Sequence, residues 1–191
     1  MLVSMNMLTN FIYKLKSLFR KTDRSRVFVI HGRNLALRRA MSDFLRAIGL
    51  KPIEWDQAVM MTGAPSPFIG EIVDAAMQQA QAVIILFTGD DETRLKKKFV
   101  TSSDSHSENG FASQPRPNVI FESGLAFGKY PQRTIITLVG SPHLFSDIAG
   151  IHFIQLNNSL KTRQELAQRL VLAGCPVDLS GTDWHDAGNF E

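Results

Sequence analysis

Residues 82–87 form a continuous apolar run, Ala-Val-Ile-Ile-Leu-Phe, which constrains the fold more than any other stretch. A strand without polar side chains has no face that is stable in contact with water, so both of its faces must be buried. Residues 27–30, Val-Phe-Val-Ile, form a second run of this kind. Strands buried on both faces are typical of parallel sheets with helices on each side. The two runs therefore predict an α/β domain.

Further strand and helix signals alternate along the chain. Apolar patterns predict strands over residues 51–55, 133–139 and 151–156. Helices are predicted between Asn34 and Gly49, from Ser66, from Pro117, and over residues 162–173, whereas residues 56–65, rich in Met, Gly and Pro, are predicted to be a loop. Five strands with intervening helices predict a doubly wound, flavodoxin-like parallel sheet with strand order 2-1-3-4-5.

The charge distribution separates the start of the chain from its body. Of the 21 basic and 18 acidic residues, the first 26 positions hold six and one, which leaves 15 and 17, a net of −2, for the rest. The body is therefore not a basic platform, and we expect no nucleic-acid partner. We predict one domain over residues 25–179, preceded by an extension at 1–24 and followed by a polar tail at 180–191.

The extension has a helical apolar pattern beside a basic cluster. Its apolar residues are Leu8, Phe11, Ile12, Leu15, Leu18 and Phe19, and its bases are Lys14, Lys16, Arg20 and Lys21. Two interpretations stay open: a helix packed on its own domain or on a second copy, and a basic amphipathic helix on a membrane surface. The single cysteine, Cys175, suits a reducing compartment. We expect a cytoplasmic protein, either free or peripheral at the inner membrane surface.

A long polar interval separates two of the predicted elements. Residues 88–116 carry no strong apolar pattern, and intervals of this length inside a compact domain are usually lids, binding loops or disordered segments. We expect residues 101–114, which include five serines, to be mobile.

Three segments are predicted to meet at one edge of the sheet. In doubly wound sheets, ligands bind beyond the carboxyl ends of the strands at the switch point between strands 1 and 3. Gly32 allows close approach of the backbone, and the helix start that follows favours an anion such as phosphate. The predicted substrate-binding residues come from the turn after strand 1, the turn after strand 3 and the helix after Pro117: His31, Gly32, Arg33, Asn34, Thr88, Asp90, Asp91, Asn118 and Phe121.

Glu122 is the only charged residue between Pro117 and Gly128. On a helix it shares a side with Val119, Leu125 and Ala126, so its carboxylate lies along an apolar stripe. An acid near a helix start is also explained by the helix dipole alone. The functional alternative is a partly desolvated carboxylate that stabilises developing positive charge. Cleavage of the N-glycosidic bond of NAD suits a lone carboxylate, because nicotinamide leaves as a neutral molecule and needs no general acid.

Four motifs resemble those of the TIR-like predicted nucleotide-binding family, which includes bacterial TIR effectors of cyclic-nucleotide antiphage systems. The motifs occupy residues 27–33, 87–92, 118–122 and 146–150. The resemblance implies a TIR fold, NAD as the substrate, Glu122 as the catalytic residue, and activation by self-association into dimers or filaments. It also implies that residues 56–65 form a mobile loop used in assembly and that a separate cyclic-nucleotide sensor is a possible partner. Gly89 departs from the proline usual in the family.

The expected activity is therefore an NAD glycohydrolase that yields nicotinamide and ADP-ribose or a cyclised form. Alternatives are a non-catalytic TIR adaptor, a nucleotide-sensing module, and a nucleoside deoxyribosyltransferase-like enzyme. For His31, a backbone-bonded histidine at a strand end is favoured over a proton-transfer role. We expect no cofactor, because NAD is the expected substrate, and no metal, because the histidines and Cys175 lack metal-ligand spacing. Trp184 and Phe190 are expected to cover the core.

Overall fold

The computed structural model describes residues 23–100, 110–144, 148 and 150–191. Seven strands occur in these ranges: β1 (Arg26–His31), β2 (Lys51–Pro52), β3 (Ala82–Phe87), β4 (Asp91–Thr93), β5 (Ala112–Gln114), β6 (Thr134–Leu138) and β7 (Ile154–Gln155). Five α-helices accompany them: α1 (Leu35–Ala47), α2 (Trp55–Thr62), α3 (Ile69–Gln79), α4 (Pro117–Lys129) and α5 (Leu160–Leu172). Predictions for the extension, for residues 101–109 and for most of the motif at 146–150 lie outside the described residues.

The main sheet has five parallel strands in the order β2-β1-β3-β6-β7. Counted along the sheet's own strands, this is the predicted order 2-1-3-4-5, and the predicted fold is confirmed. In the register between β1 and β3, Val27 pairs with Ala82 and His31 with Leu86. The carboxyl ends of these two strands therefore lie at one edge of the sheet, as the predicted site requires.

The central strand β3 is buried along its whole length and contributes side chains to both faces of the sheet. Ala82, Ile84 and Leu86 face a core formed with α1 and α5, because alternate strand residues point to opposite faces. The remaining residues of β3 face a second core formed mainly with α3 and α4. We call the first side the α1/α5 face and the second the α3/α4 face.

Residues 51–65 differ from the prediction. The strand stops at Pro52, so the predicted strand over 51–55 was too long, and α2 begins at its last residue, Trp55, and continues through most of the predicted loop over 56–65. The Gln57 side chain accepts a hydrogen bond from the Glu54 amide at 3.3 Å, which stabilises the helix start. Gly63, with φ +70°, ends the helix. Helix α3 then begins at Ile69, three residues after the predicted start.

The polar interval also contains regular structure that the sequence did not predict. Strands β4 and β5 form an antiparallel pair separate from the main sheet, with Glu92 opposite Ser113. A side chain at position 89 would overlap the Ser113 side chain, which gives a structural reason for Gly89. The sequence analysis predicted that residues 101–114 are mobile. In the described part of this range, residues 112–114 instead form strand β5.

The C-terminal segment closes the α1/α5 face. Trp184 and Phe190 are 7% and 1% exposed and belong to that core, which confirms the prediction that they cover it. Arg163, 2% exposed, donates hydrogen bonds to the carbonyl oxygens of Ala187 and Gly188 and lies against the Phe190 ring. Among the described helices, none combines the length and apolar character needed to cross a bilayer.

Candidate active site

A cleft of about 330 Å³ opens beside the carboxyl end of β1, where the edge strand is missing. Strand β2 pairs only with Arg26 and Val27, and after the Ile53 amide bonds to the Val27 carbonyl oxygen at 2.8 Å the chain turns away into α2. Within the described residues, the second half of β1 therefore has no neighbouring strand on that side. The volume of the cleft is at the low end of the range for pockets that bind small ligands.

Glu122 and His31 line this same cleft. Helix α4 begins at Pro117 and is fixed to the α3/α4 face by Val119 and Ala126, which are buried at 3% and 0% exposure. Burial raises the pKa of Glu122. The carboxylate has neither a hydrogen bond nor an ion pair within the described part of the chain. It is a half-buried acid with nothing in that part to neutralise it.

The His31 ring is held by the backbone, as the favoured interpretation of this residue predicted. Its Nδ1 atom lies 2.9 Å from the Gly32 carbonyl oxygen and must carry the proton for that hydrogen bond. Burial lowers the pKa of His31, so the ring is neutral near pH 7. A neutral imidazole with Nε2 unprotonated can accept a hydrogen bond from a ligand hydroxyl, but it is a poor proton donor.

Asp90 occupies the position where the sequence predicted a phosphate. Its carboxylate accepts hydrogen bonds from the backbone amides of Arg33 and Asn34, the latter at 3.3 Å. A Cβ atom on Gly32 would overlap this carboxylate, so glycine is required for the approach. The Asn34 side chain in turn caps α1 by accepting from the Leu37 amide at 3.1 Å. The turn after β1 is thus bound to the segment after β3 by the chain's own acid.

Of the other predicted site residues, Thr88 and Asp91 make contacts near the ends of β1 and β3, whereas Asn118 and Phe121 lie outside the cleft. Thr88 is buried at the turn after β3, close to Gly32. Asp91 forms an ion pair with Arg116 at 3.4 Å, which joins β4 to the start of α4. Asn118 is exposed, and Phe121 is 69% exposed, and neither lines the cleft. These last two residues share helix α4 with Glu122 but do not contribute to the cleft that Glu122 lines.

Five polar or aromatic residues of the cleft were not predicted as site residues from the sequence: Phe28, Arg38, Ser42, Glu54 and Trp55. The Glu54 carboxylate accepts hydrogen bonds from Arg38 and, at 2.8 Å, from Arg46, both on α1. Glu54 is thus a neutralised acid, in contrast to Glu122. Arg38 and Arg46 are eight residues apart, so the sequence predicts that they lie on the same face of α1. The sequence does not show that Glu54 lies beside this face, so it could not predict the two ion pairs.

A larger groove of about 1070 Å³ runs along the outer side of β2 and α2. It is lined by charges of both signs, including Asp23, Arg26 and Lys51, which already pair with one another. Glu122 and His31 do not line it. We therefore place the candidate site in the smaller cleft, whose acid Glu122 is half-buried and has no pairing partner in the described residues. In the described ranges, no three His, Cys, Asp or Glu side chains are grouped as a metal site would require.

Residues 26–158 match the family model described as the TIR domain of CAP12/Pycsar effector proteins. This match covers more than half of the chain, including all five strands of the main sheet. The chain belongs to this family. The resemblance to TIR effector domains, expected from four sequence motifs, is confirmed.

Two curated proteins are similar to this TIR-domain chain. One is protein tirC of Dictyostelium discoideum, 28% identical over 149 residues, which cover 73% of this chain and 68% of tirC. The other is the uncharacterized protein YuaY of Escherichia coli strain K12, 26% identical over 165 residues, which cover 85% of this chain and 50% of YuaY. The chain therefore spans about two thirds of the first relative and half of the second.

Proposed function

We propose that this TIR domain hydrolyses the bond between nicotinamide and ribose in NAD. The observation that carries the proposal is the half-buried, unpaired carboxylate of Glu122 in the cleft at the end of β1. NAD is the substrate, and neither a cofactor nor a metal takes part in the step we propose.

The reaction requires charge stabilisation more than proton transfer. The bond between the ribose C1′ and the ring nitrogen breaks, and its electron pair goes to the nitrogen, so the pyridinium becomes neutral nicotinamide. The positive charge moves to the ribosyl group, where a nearby carboxylate stabilises it. Water then adds at C1′ and releases a proton, giving ADP-ribose. If a nitrogen of the adenine attacks C1′ instead of water, the product is a cyclised ADP-ribose.

Removal of the Glu122 charge is the direct test. Concentrated wild-type protein and Glu122→Gln are incubated with NAD, and nicotinamide release is followed by chromatography. We expect the substitution to lower the rate by at least about 100-fold, as the loss of one electrostatic stabiliser of a transition state does in other enzymes. Glu92→Gln, an exposed acid of β4 that lies outside the cleft, is the matched control and should retain the wild-type rate.

The same assay separates the alternatives. A non-catalytic adaptor releases no nicotinamide at any concentration and tolerates Glu122→Gln in signalling. A sensing module binds NAD or another nucleotide without turnover. A deoxyribosyltransferase-like enzyme produces nothing from NAD and requires a nucleobase as acceptor. Equal release by wild type and Glu122→Gln would remove Glu122 from the mechanism.

Activation by self-association is part of the proposal. Three apolar side chains near the connection between α2 and α3 are largely exposed: Met60 at 80%, Phe68 at 80% and Ile69 at 69%. Exposed apolar groups of this kind favour association. This connection adjoins residues 56–65, to which the resemblance assigned a role in assembly. We expect specific activity to rise with protein concentration, in parallel with the fraction of dimers or filaments measured by light scattering.

The biological role we propose is NAD depletion in antiphage defence, controlled by a cyclic-nucleotide signal from a separate sensor. The description of the family as CAP12/Pycsar effectors supports this role. The test is protection of bacteria from phage by the complete system, which should be lost with Glu122→Gln.

A further inference from the structure

Trp55 leaves a large aromatic surface in water next to the candidate catalytic acid. It is 49% exposed, whereas the other tryptophan, Trp184, is 7% exposed and donates its Nε1 hydrogen to the Gly181 carbonyl oxygen at 2.9 Å. Trp55 and Glu122 line the same cleft. Part of the Trp55 side chain is therefore available to a ligand in the cleft.

The position of Trp55 is fixed although its side chain is exposed. It is the first residue of α2, and its neighbour Glu54 is held by Arg38 and Arg46 from α1. The Glu54 amide is held as well, by the Gln57 side chain. A side chain that starts from a fixed backbone loses less freedom when a ligand binds, so such a site is partly preorganised.

Among the described residues, no cationic side chain lies over the Trp55 ring. Within the described ranges, the aromatic rings that have a guanidinium or ammonium group over them are Phe44, Phe99, Phe111, Tyr130 and Phe190. Trp is the aromatic side chain that binds cations best. The ring beside Glu122 is therefore open to a cation from a ligand.

We propose that Trp55 is the specificity-determining residue for the leaving group, and that its indole receives the cationic nicotinamide ring of NAD by stacking. The inference rests on the proposed NAD cleavage. The nicotinamide ring of NAD is flat and positively charged, while NADH and ADP-ribose have no such cation. Trp55 thus selects the oxidised dinucleotide, and Glu122 acts on the charge after it has moved to the ribose.

This division of roles predicts different kinetic effects for the two residues. The positive charge leaves the ring as the bond breaks, so Trp55 stabilises the bound substrate at least as well as the transition state. An interaction of that kind lowers KM without raising kcat. Trp55→Leu should raise KM about 3- to 30-fold and leave kcat within about twofold, with Trp55→Phe between Leu and wild type. Glu122→Gln should act mainly on kcat.

The test combines this kinetic comparison with a binding measurement that needs no turnover. Calorimetry on the Glu122→Gln protein compares NAD with ADP-ribose as ligands, with and without Trp55→Leu. We expect Trp55→Leu to weaken NAD binding by the same factor by which it raises KM, and to change ADP-ribose binding less than twofold. Phe99→Leu, another exposed aromatic residue, is the control, because it does not line the cleft.

Three results would overturn the inference while leaving the proposed cleavage intact. They are equal losses of NAD and ADP-ribose affinity, no loss of either, and a loss of self-association on sedimentation that accounts for the whole change in rate. Selective loss of NAD binding by Trp55→Leu, together with a wild-type protein that releases no nicotinamide at any concentration, would instead support the Trp55 subsite and contradict the proposed hydrolysis.

Discussion

The α1/α5 face and the α3/α4 face of the main sheet are both covered by helices, but within the described residues only the α1/α5 face is also sealed by the C-terminal segment. On the α1/α5 face, the C-terminal segment adds Trp184 and Phe190 to the core, and Arg163 binds the last turns of the chain from inside. The core of the α3/α4 face contains no residue of the described C-terminal segment, and we call this face unsealed. The candidate site lies where this unsealed side meets the short edge strand β2.

The comparison indicates a division between stability and function. The sealed face contains a buried charged residue, Arg163, which donates hydrogen bonds to carbonyl oxygens of the C-terminal segment. The cleft beside the unsealed face contains a half-buried charge with no partner in the described part of the chain, namely Glu122. Desolvation of an acid without compensation costs stability, and sites that keep such groups are often functional. Substitutions on the two sides should therefore affect different measurements.

The largest expected effect on stability is at Arg163. Arg163→Leu leaves the partly buried carbonyl oxygens of Ala187 and Gly188 without these donors and removes the contact with Phe190. We expect a loss of about 3 kcal/mol in the free energy of unfolding, measured by urea denaturation. The rate of nicotinamide release per folded molecule should not change. A fall in that rate at full folding would contradict the division between the two faces.

A smaller effect is expected at Glu54, which lies in the cleft but is paired. Glu54→Gln weakens the ion pairs with Arg38 and Arg46, which are partly exposed, so we expect a loss of only about 0.5–1 kcal/mol in stability. Because these pairs fix the residue before Trp55, KM for NAD should rise. Asp43→Asn, which removes only the exposed pair with Arg46, should leave KM unchanged.

The smallest effect on stability is expected at Glu122. Glu122→Gln should leave the free energy of unfolding within about 0.5 kcal/mol of wild type, or raise it, because a desolvated charge is replaced by a neutral group. The sign depends on pH. The pKa of Glu122 is higher in the folded than in the unfolded protein, so wild type gains stability as the pH falls through the folded pKa.

The advantage of Glu122→Gln over wild type should therefore be larger at pH 7 than at pH 4.5. Urea denaturation at the two pH values measures the difference. A substitution that destabilised the protein by more than about 1 kcal/mol at pH 7 would show that Glu122 has a structural role, contrary to the comparison of the two faces.

The main sheet was predictable because its signals are local. The apolar runs of β1 and β3 permit few arrangements other than a parallel sheet covered on both faces. The alternation of strands and helices predicts a doubly wound sheet, and the confirmed strand order is the one usual for its flavodoxin-like form. Strands β4 and β5 were missed because the residues Asp91-Glu92-Thr93 and Ala112-Ser113-Gln114 have no apolar alternation. Their pairing depends on contacts between distant segments, which composition does not record.

The candidate site was predictable only in part. Topology alone indicated that the ends of β1 and β3 would lie together with the start of α4. The start of α2 was predicted as strand and loop because residues 56–65 are rich in Met, Gly and Pro, and the contact between Glu54 and Gln57 was recognised only in the structure. With that helix misplaced, Trp55 and Glu54 could not be assigned to the cleft. The pairing of Asp90 with the amides of α1 is likewise a tertiary contact without a local signal.

The pH dependence of nicotinamide release tests the central claim most directly, because it depends on the charge of one partly desolvated acid. Because burial raises the pKa of Glu122, kcat/KM should fall on the acid side with a midpoint above 4.5, the ordinary value for this group. Circular dichroism at each pH confirms that the protein stays folded. The account predicts this acid limb in wild type and a low, flat profile in Glu122→Gln. Wild-type activity that holds constant to below pH 4.5, or that increases as the pH falls, would contradict it.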